Sequence, residues 1–183
     1  MTQEAVFNPV DARELRTAFG QFATGVTVVS TWGTDGLVYG ALVTAFAAVS
    51  VDPPLAQITL TRSSKAAKHL DGSSFAVNIL SVDQLDVARH FAGQSMDREP
   101  NWIVDGDVPV LLGNAATLEC RAWNAYDGGD HIIVVGEVRS LAVGDTEPLL
   151  FHEGTFHSIG ERLEAGTDEG WFAGDGPFQR FVP

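Results

Sequence analysis

Of 183 residues, 24 are acidic and 11 basic, a formal net charge of −13, and 45% are apolar. Such an excess of carboxylates excludes a nucleic-acid groove or an anionic-membrane face, since both need clustered Lys and Arg; an anionic ligand is left only a local basic pocket. The one cysteine, Cys120, rules out an intramolecular disulfide and points to a reducing, cytoplasmic setting.

The N-terminal stretch has no basic region followed by an apolar core, and no uninterrupted apolar run reaches about 18 residues, so neither a signal peptide nor a spanning helix is expected. Asn8-Pro9 opens the first element. Over residues 11–22, Leu15, Phe19 and Phe22 recur at helical spacing, with Arg13, Glu14 and Arg16 elsewhere on the wheel. Gly25 follows, then a β-branched run over 26–31 that predicts a strand, then a turn at Gly33-Thr34-Asp35-Gly36.

Residues 38–65 are the organising stretch. They predict a strand ending near Phe46, a return through 47–51, a stop at Asp52-Pro53-Pro54, and a second strand over 55–61. The prolines lack backbone donors and so belong between strands. The second strand empties into Thr61-Arg62-Ser63-Ser64-Lys65, hydroxyls and cations ahead of a short helix over 65–70 capped by Ser64. Cations, hydroxyls and free N–H groups at a helix start are the ingredients of a phosphate site.

Residues 75–80, FAVNIL, predict a strand with one polar side chain, Asn78, for which ligand or backbone would both serve as partner. Ser81 or Asp83 caps a second short helix through Phe91, with Leu85, Val87 and Ala88 inward. Residues 92–114, rich in Gly, Pro and Asp, read as a long irregular connection. Long strands over 115–126 and 131–141 meet at Asp127-Gly128-Gly129-Asp130, the clearest hairpin signal in the chain. Short strands over 149–151 and 155–159 follow. Cys120 falls in the first long strand and reads as a buried small hydrophobe rather than a nucleophile. From Glu161 an acidic tail carries Trp171, Phe172, Phe178 and Phe181, expected to lie on a surface or a partner subunit.

Six or more strands separated by turns, with only short helices, predict a mainly β fold: an antiparallel barrel with peripheral helices over 1–160, followed by the tail over 161–183. Several connections are too short for parallel crossovers. No G-x-G-x-x-G, G-x-x-x-x-G-K-[ST] or G-x-S-x-G occurs, which disfavours a Rossmann site, a P-loop and a hydrolase elbow. His152-Glu153 and His157 form H-E-x-x-x-H, not the zincin spacing. A strand spacing of five would send the two rings to opposite faces, so no metal site is expected. Asp130-His131 follows the tight turn and should face an open barrel end; by the same alternation the two side chains are not expected to pair.

The runs FATGVTVVS, AFAAVSVDPP, FAVNIL and DGGDHIIVVGEV, in that order between Arg13 and Ile159, resemble the flavin reductase-like family of FMN-binding split barrels. Many members are reductase components of two-component flavin-dependent monooxygenases. The resemblance implies a split β-barrel of Greek-key type, a homodimer, FMN or FAD as flavin, NADH or NADPH as hydride donor to flavin N5, and a monooxygenase that receives the reduced flavin. It sets the flavin ring against Leu42, Thr44, Ala45 and Phe46, the phosphate at Thr61, Arg62, Ser63, Ser64 and Lys65, and further flavin contacts at His90 and Phe91, with Asn78 counted among the cofactor candidates. His131 would serve the nicotinamide, together with Phe151, His152, Glu153 and Gly154. Two departures from the family pattern are visible. A loop that in members reads like TVNSFTSVS is LVTAFAAVS here, so backbone N–H groups are what remains to hold the ring. His152-Glu153 stands where members often show Tyr-Arg. Two other readings therefore stay open: a flavin-binding protein without reductase activity, and a barrel reused for catalysis on an apolar small molecule.

Overall fold

The computed structural model describes residues 9–161. Asn8 and the four aromatic residues of the tail lie outside the described residues. Helix α1 (Ala12–Gly20) begins where Asp11, in extended backbone, accepts hydrogen bonds from the N–H groups of Arg13 (2.8 Å) and Glu14 (3.2 Å). None of its residues is buried, and Leu15, Phe19 and the following Phe22 are exposed.

Five strands come next: β1 (Thr24–Gly25), β2 (Thr27–Trp32), β3 (Val38–Val43), β4 (Phe46–Val51) and β5 (Pro54–Thr61). Residues 46–51 are thus a full strand and not a return segment. The reversal before β5 needs only Asp52 and Pro53, because Val51 already pairs with Pro54. The predicted strand end near Phe46 moves back to Val43, and Thr44-Ala45 becomes the joint between two strands. The helix expected over 65–70 is a single 3-10 turn, Ala66–His69, with no side-chain cap from Ser64.

After β6 (Phe75–Ile79), a 3-10 turn at Val82–Gln84 leads into α2 (Leu85–Phe91), and Gln84 Oε1 accepts the Ser81 N–H at 2.9 Å. The connection over 92–114 is not wholly irregular, since β7 (Trp102–Ile103) and β8 (Val110–Leu111) make a two-stranded ribbon. The long hairpin is β9 (Ala116–Gly128) with β10 (His131–Val143), and the chain closes with β11 (Leu150–His152) and β12 (Thr155–His157).

Seven strands form one antiparallel sheet in the order β3-β2-β6-β9-β10-β5-β4, and β1, β11 and β12 make a smaller sheet. Its two edges, β3 and β4, are consecutive in the chain and joined only by Thr44 and Ala45, a link that reaches about 11 Å. The sheet has therefore curled until its first and last strands are neighbours, leaving a seam rather than a ladder between them. This is the mainly β barrel that the strand pattern predicts, in the split form that the resemblance implies.

Val29, Ile58, Phe75, Val77 and Val134 fill the barrel. Val26, Val28, Leu80, Ala88, Leu111 and Leu149 form a second core outside it. Strand β2 lies between the two cores and is buried on both faces, which explains its unbroken run of β-branched residues. Gly136 on β10 is required by packing: a Cβ there would lie 2.6 Å from Phe75 and 2.8 Å from Cys120. Cys120 is 2% exposed, and burial pushes its thiol up to about 12, so it is an inert core residue. Among the described residues no helix is long and apolar enough to cross a membrane.

Candidate functional site

The seam between β3 and β4 opens into a cleft of about 670 Å³ bounded by the ends of β3, β5 and β10, a size within the usual small-molecule range of about 300–1,000 Å³. One wall is the chain from Leu42 to Ala45, whose joint residues Thr44 and Ala45 stand between the two flanking ladders, the Ala45 carbonyl accepting from Thr59 N at 2.9 Å. Thr61 and Ser64 place hydroxyls at one end, and His131 stands beside them because it pairs directly with Thr61 across β10 and β5. Phe91 closes the far side from α2, packed so tightly on β3 that a Cβ at Gly40 would come 2.5 Å from its ring. Phe19 of α1 reaches the rim. A second cavity, of about 430 Å³, lies by β8 and the opposite ends of β9 and β10; it holds none of the residues singled out from sequence.

The β9–β10 turn is tied down by unusually many bonds for a glycine-rich reversal. Gly129 adopts φ 75°, open to glycine without strain. Asp127 Oδ1 accepts the Gly129 N–H at 3.1 Å and meets the Arg62 guanidinium at 2.5 Å. Arg62 Nε donates to the Gly129 carbonyl at 3.0 Å, and Arg62 N donates to the Asp130 carbonyl at 3.1 Å. Arg62 holds the Asp127 carboxyl below the usual carboxylate range.

Contrary to the strand-alternation expectation, Asp130 does pair with His131, Oδ1 to Nδ1 at 2.5 Å. Asp130 is the last turn residue and not a strand residue, so alternation does not govern its side chain. The His131 contact keeps the Asp130 carboxyl ionised to lower pH than usual. A carboxylate only accepts, so Nδ1 carries the proton, and Nε2 of the neutral ring is left as an acceptor.

Of the residues chosen from sequence, the cleft gathers Leu42, Thr44, Ala45, Thr61, Ser64, Phe91 and His131. The others stand elsewhere. Phe46 turns into the barrel core. Arg62 is committed to the hairpin turn, and Ser63 and Lys65 are exposed beside the cleft; Lys65 joins no ion pair among the described residues. Asn78 is fully buried and saturated by protein: its amide donates to the Val28 carbonyl (2.8 Å) and Ser30 Oγ (2.9 Å), and its carbonyl accepts from Leu111 N (2.9 Å) and Asn114 Nδ2 (3.0 Å). It ties two β-strands to the β7–β8 ribbon and has no valence left for a ligand. His90 sits edge-on to Phe91, ring centroids 5.1 Å apart, and does not line the cleft.

Phe151, His152, Glu153 and Gly154 lie in the β11–β12 hairpin, which pairs with β1 and not with the barrel sheet, and so do not line the cleft. Phe151 stacks on Phe156 (5.3 Å) against the second core. Glu153 N donates to the Gly20 carbonyl at 3.1 Å and its carboxylate accepts from Gln21, pinning the hairpin to the end of α1. The His152 and His157 rings are 6.1 Å apart and not on opposite faces, because a hairpin turn and not a continuous strand separates them. Among the described residues no three potential metal ligands cluster.

Residues 19–160 match the family model for the flavin reductase like domain. The chain belongs to the flavin reductase-like family. It is 41% identical over 162 residues to the FMN reductase (NADH) SmoA of Agrobacterium fabrum, covering 85% of this chain and 92% of that one. To the reductase subunit HsaB of a flavin-dependent monooxygenase from Rhodococcus jostii it is 34% identical over 155 residues, 82% of this chain and 79% of that one. The solved structure of the NADH:FAD oxidoreductase SgcE6 of Streptomyces globisporus superposes with a TM-score of 0.79 at 33% identity, over 91% of this chain and 98% of that one. In this flavin reductase-like chain, the cleft also takes in residues not chosen from sequence, among them Phe19, Gly40, Thr59 and Ile133. Phe19 carried no signal beyond helical periodicity, whereas Gly40 inside an apolar strand was a readable mark of close approach.

Proposed function

We propose that the protein is an NADH-dependent flavin reductase that uses FMN or FAD in the seam cleft and passes the reduced flavin to a flavin-dependent monooxygenase. One observation carries this reading: a single cleft brings together the Thr44-Ala45 joint between two strands, the hydroxyl residues Thr61 and Ser64 with Lys65 next in the chain, and a histidine whose Nδ1 is held by Asp130. The residues present fit a flavin. Leu42 and Phe91 offer apolar contact for a planar ring, Thr44 and Ala45 stand at its polar edge, and Thr61 and Ser64, with Lys65 next in the chain, suit a phosphate. When bound, the flavin supplies the hydride-accepting centre. The chain's own work is positional. His131, with Nδ1 held by Asp130, presents Nε2 as an acceptor for the carboxamide N–H of a nicotinamide, which orients the donor ring without moving a proton. Similarity to the FMN reductase (NADH) SmoA and to the monooxygenase reductase subunit HsaB supports NADH as donor and a monooxygenase as recipient.

The active unit in this reading is a cytoplasmic homodimer. Leu15, Phe19 and Phe22 around α1, and Val49 and Val51 on the β4 edge, are exposed apolar residues that a second copy would cover. NADH oxidation by the purified protein should require added FMN or FAD and saturate with each. Flavin binding seen by absorbance without any NADH oxidation would replace the reading with that of a flavin-binding protein lacking reductase activity.

A further inference from the structure

We infer that Arg62 is a positioning residue for His131: it clamps the β9–β10 turn to the end of β5, while the phosphate of the flavin is left to Lys65 and the neighbouring hydroxyls. This rests on the flavin-reductase reading above, and it gives the first cation of the run a task other than anion binding. Arg62 bonds to three of the four turn residues, Asp127, Gly129 and Asp130. It meets the Asp127 carboxylate, the Gly129 carbonyl and the Asp130 carbonyl, two of them through its planar guanidinium and one through its own backbone N–H. The next link is Asp130, whose carboxylate holds Nδ1 of His131. A continuous chain of bonds therefore runs from the end of β5, through the turn, to the imidazole in the cleft.

The ladder pairings of His131 with Thr61 and Gly128 fix its backbone, and the Arg62 fork adds side-chain restraint to a turn whose two glycines supply little stiffness. A guanidinium can make both side-chain bonds in one plane, and an ammonium cannot. The Arg62 and Asp127 side chains are 48% and 82% exposed, so the pair adds little to stability. Its effect should appear in geometry at His131, where small displacements are costly to rate.

The test compares Arg62→Ala, Arg62→Lys, Asp127→Asn, Lys65→Ala and His131→Ala in the full-length protein. Three readouts are taken: kcat/KM for NADH at saturating flavin, the ratio of FMN to riboflavin affinity, and the imidazole NMR resonances of His131 without flavin. Arg62→Ala and Asp127→Asn should each lower kcat/KM for NADH by about tenfold, Arg62→Lys should not restore it, and adding Arg62→Ala to His131→Ala should cost little more. The FMN-to-riboflavin ratio should hold in Arg62→Ala and fall in Lys65→Ala. The His131 resonances should shift in both Arg62→Ala and Asp127→Asn, and Asp127, an exposed turn residue, keeps the test valid if the arginine variants fold poorly. A ratio that collapses in Arg62→Ala, with Asp127→Asn unchanged in rate and spectrum, would overturn the clamp and make Arg62 a phosphate ligand. Wild-type protein that fails to oxidise NADH would sink the reductase reading instead, and unmoved His131 resonances would then still overturn the clamp on their own.

Discussion

Asn78 shows what a polar side chain does when it is enclosed by strands. With all four of its hydrogen-bonding positions occupied by protein, replacing it with Leu strands several buried partners at once. Asn78→Leu should therefore lower the unfolding free energy by about 2–4 kcal/mol in urea titration, while flavin affinity per folded molecule stays at the wild-type value. A large affinity change with unchanged stability would return Asn78 to the ligand. Glu137 is a second such case, at the surface. Its carboxylate lies between Arg121 at 2.5 Å and Arg139 at 2.7 Å, which hold it below the usual carboxylate range, Arg121 contributing most. A depressed folded value means that the stabilisation is complete above the unfolded carboxylate value, about 4.3, and is lost as pH falls through the folded one. Stability should be flat at neutral pH and fall in acid. Glu137→Gln should make that fall shallower in pH-dependent denaturation, and a fall equally steep in the variant would rule the residue out as a contributor.

At the level of elements, what was readable in the sequence followed how locally each element is specified. α1 has its own cap and periodicity, and the β9–β10 hairpin has its own turn residues, so both fall close to their predicted limits. β4 has neither. Its Ala-Ala-Val-Ser run lacks alternation because it is an edge strand with mostly exposed residues, and only pairing with β5 makes it a strand. The same reasoning explains the site. Thr61 beside a run of cations and His131 beside a tight turn were marked by local sequence, and Leu42, Thr44 and Ala45 by the family resemblance. But the hairpin of β11 and β12 is placed by a pairing to β1 that no local pattern announces. That hairpin reverses through Glu153 at φ 46° and Gly154 at φ 81°, two left-handed residues in a row. Nothing lies within 4 Å of a Cβ added at Gly154, so Gly154→Ala tests backbone strain alone. It should cost about 1 kcal/mol, readable as a lower thermal midpoint, with NADH kinetics preserved because the hairpin stands off the cleft. A loss of activity at unchanged midpoint would place the hairpin in the reaction after all.

For the whole molecule, a net charge of −13 per chain sets a condition on the proposed homodimer. Two copies repel at long range while exposed apolar residues on α1 and β4 favour contact at short range. Screening weakens the first and leaves the second, so association should tighten from about 10 mM to about 300 mM salt. Sedimentation at micromolar concentration should show the dimer fraction rising over that range, and a monomer at every ionic strength would refute the assembly.

The pairing of Thr61 with His131 has a consequence in time. The two banks of the cleft come from β5 and β10, far apart in the chain, and loop closure makes such pairings slow to form, so complete folding belongs on a scale of about milliseconds to seconds. Hairpins such as β2–β3 or β9–β10 need no such encounter. A chain that has made only these local ladders offers half a cleft. Flavin present during refolding should leave the folding rate nearly unchanged and slow unfolding instead, since its contacts exist only after the two banks have met.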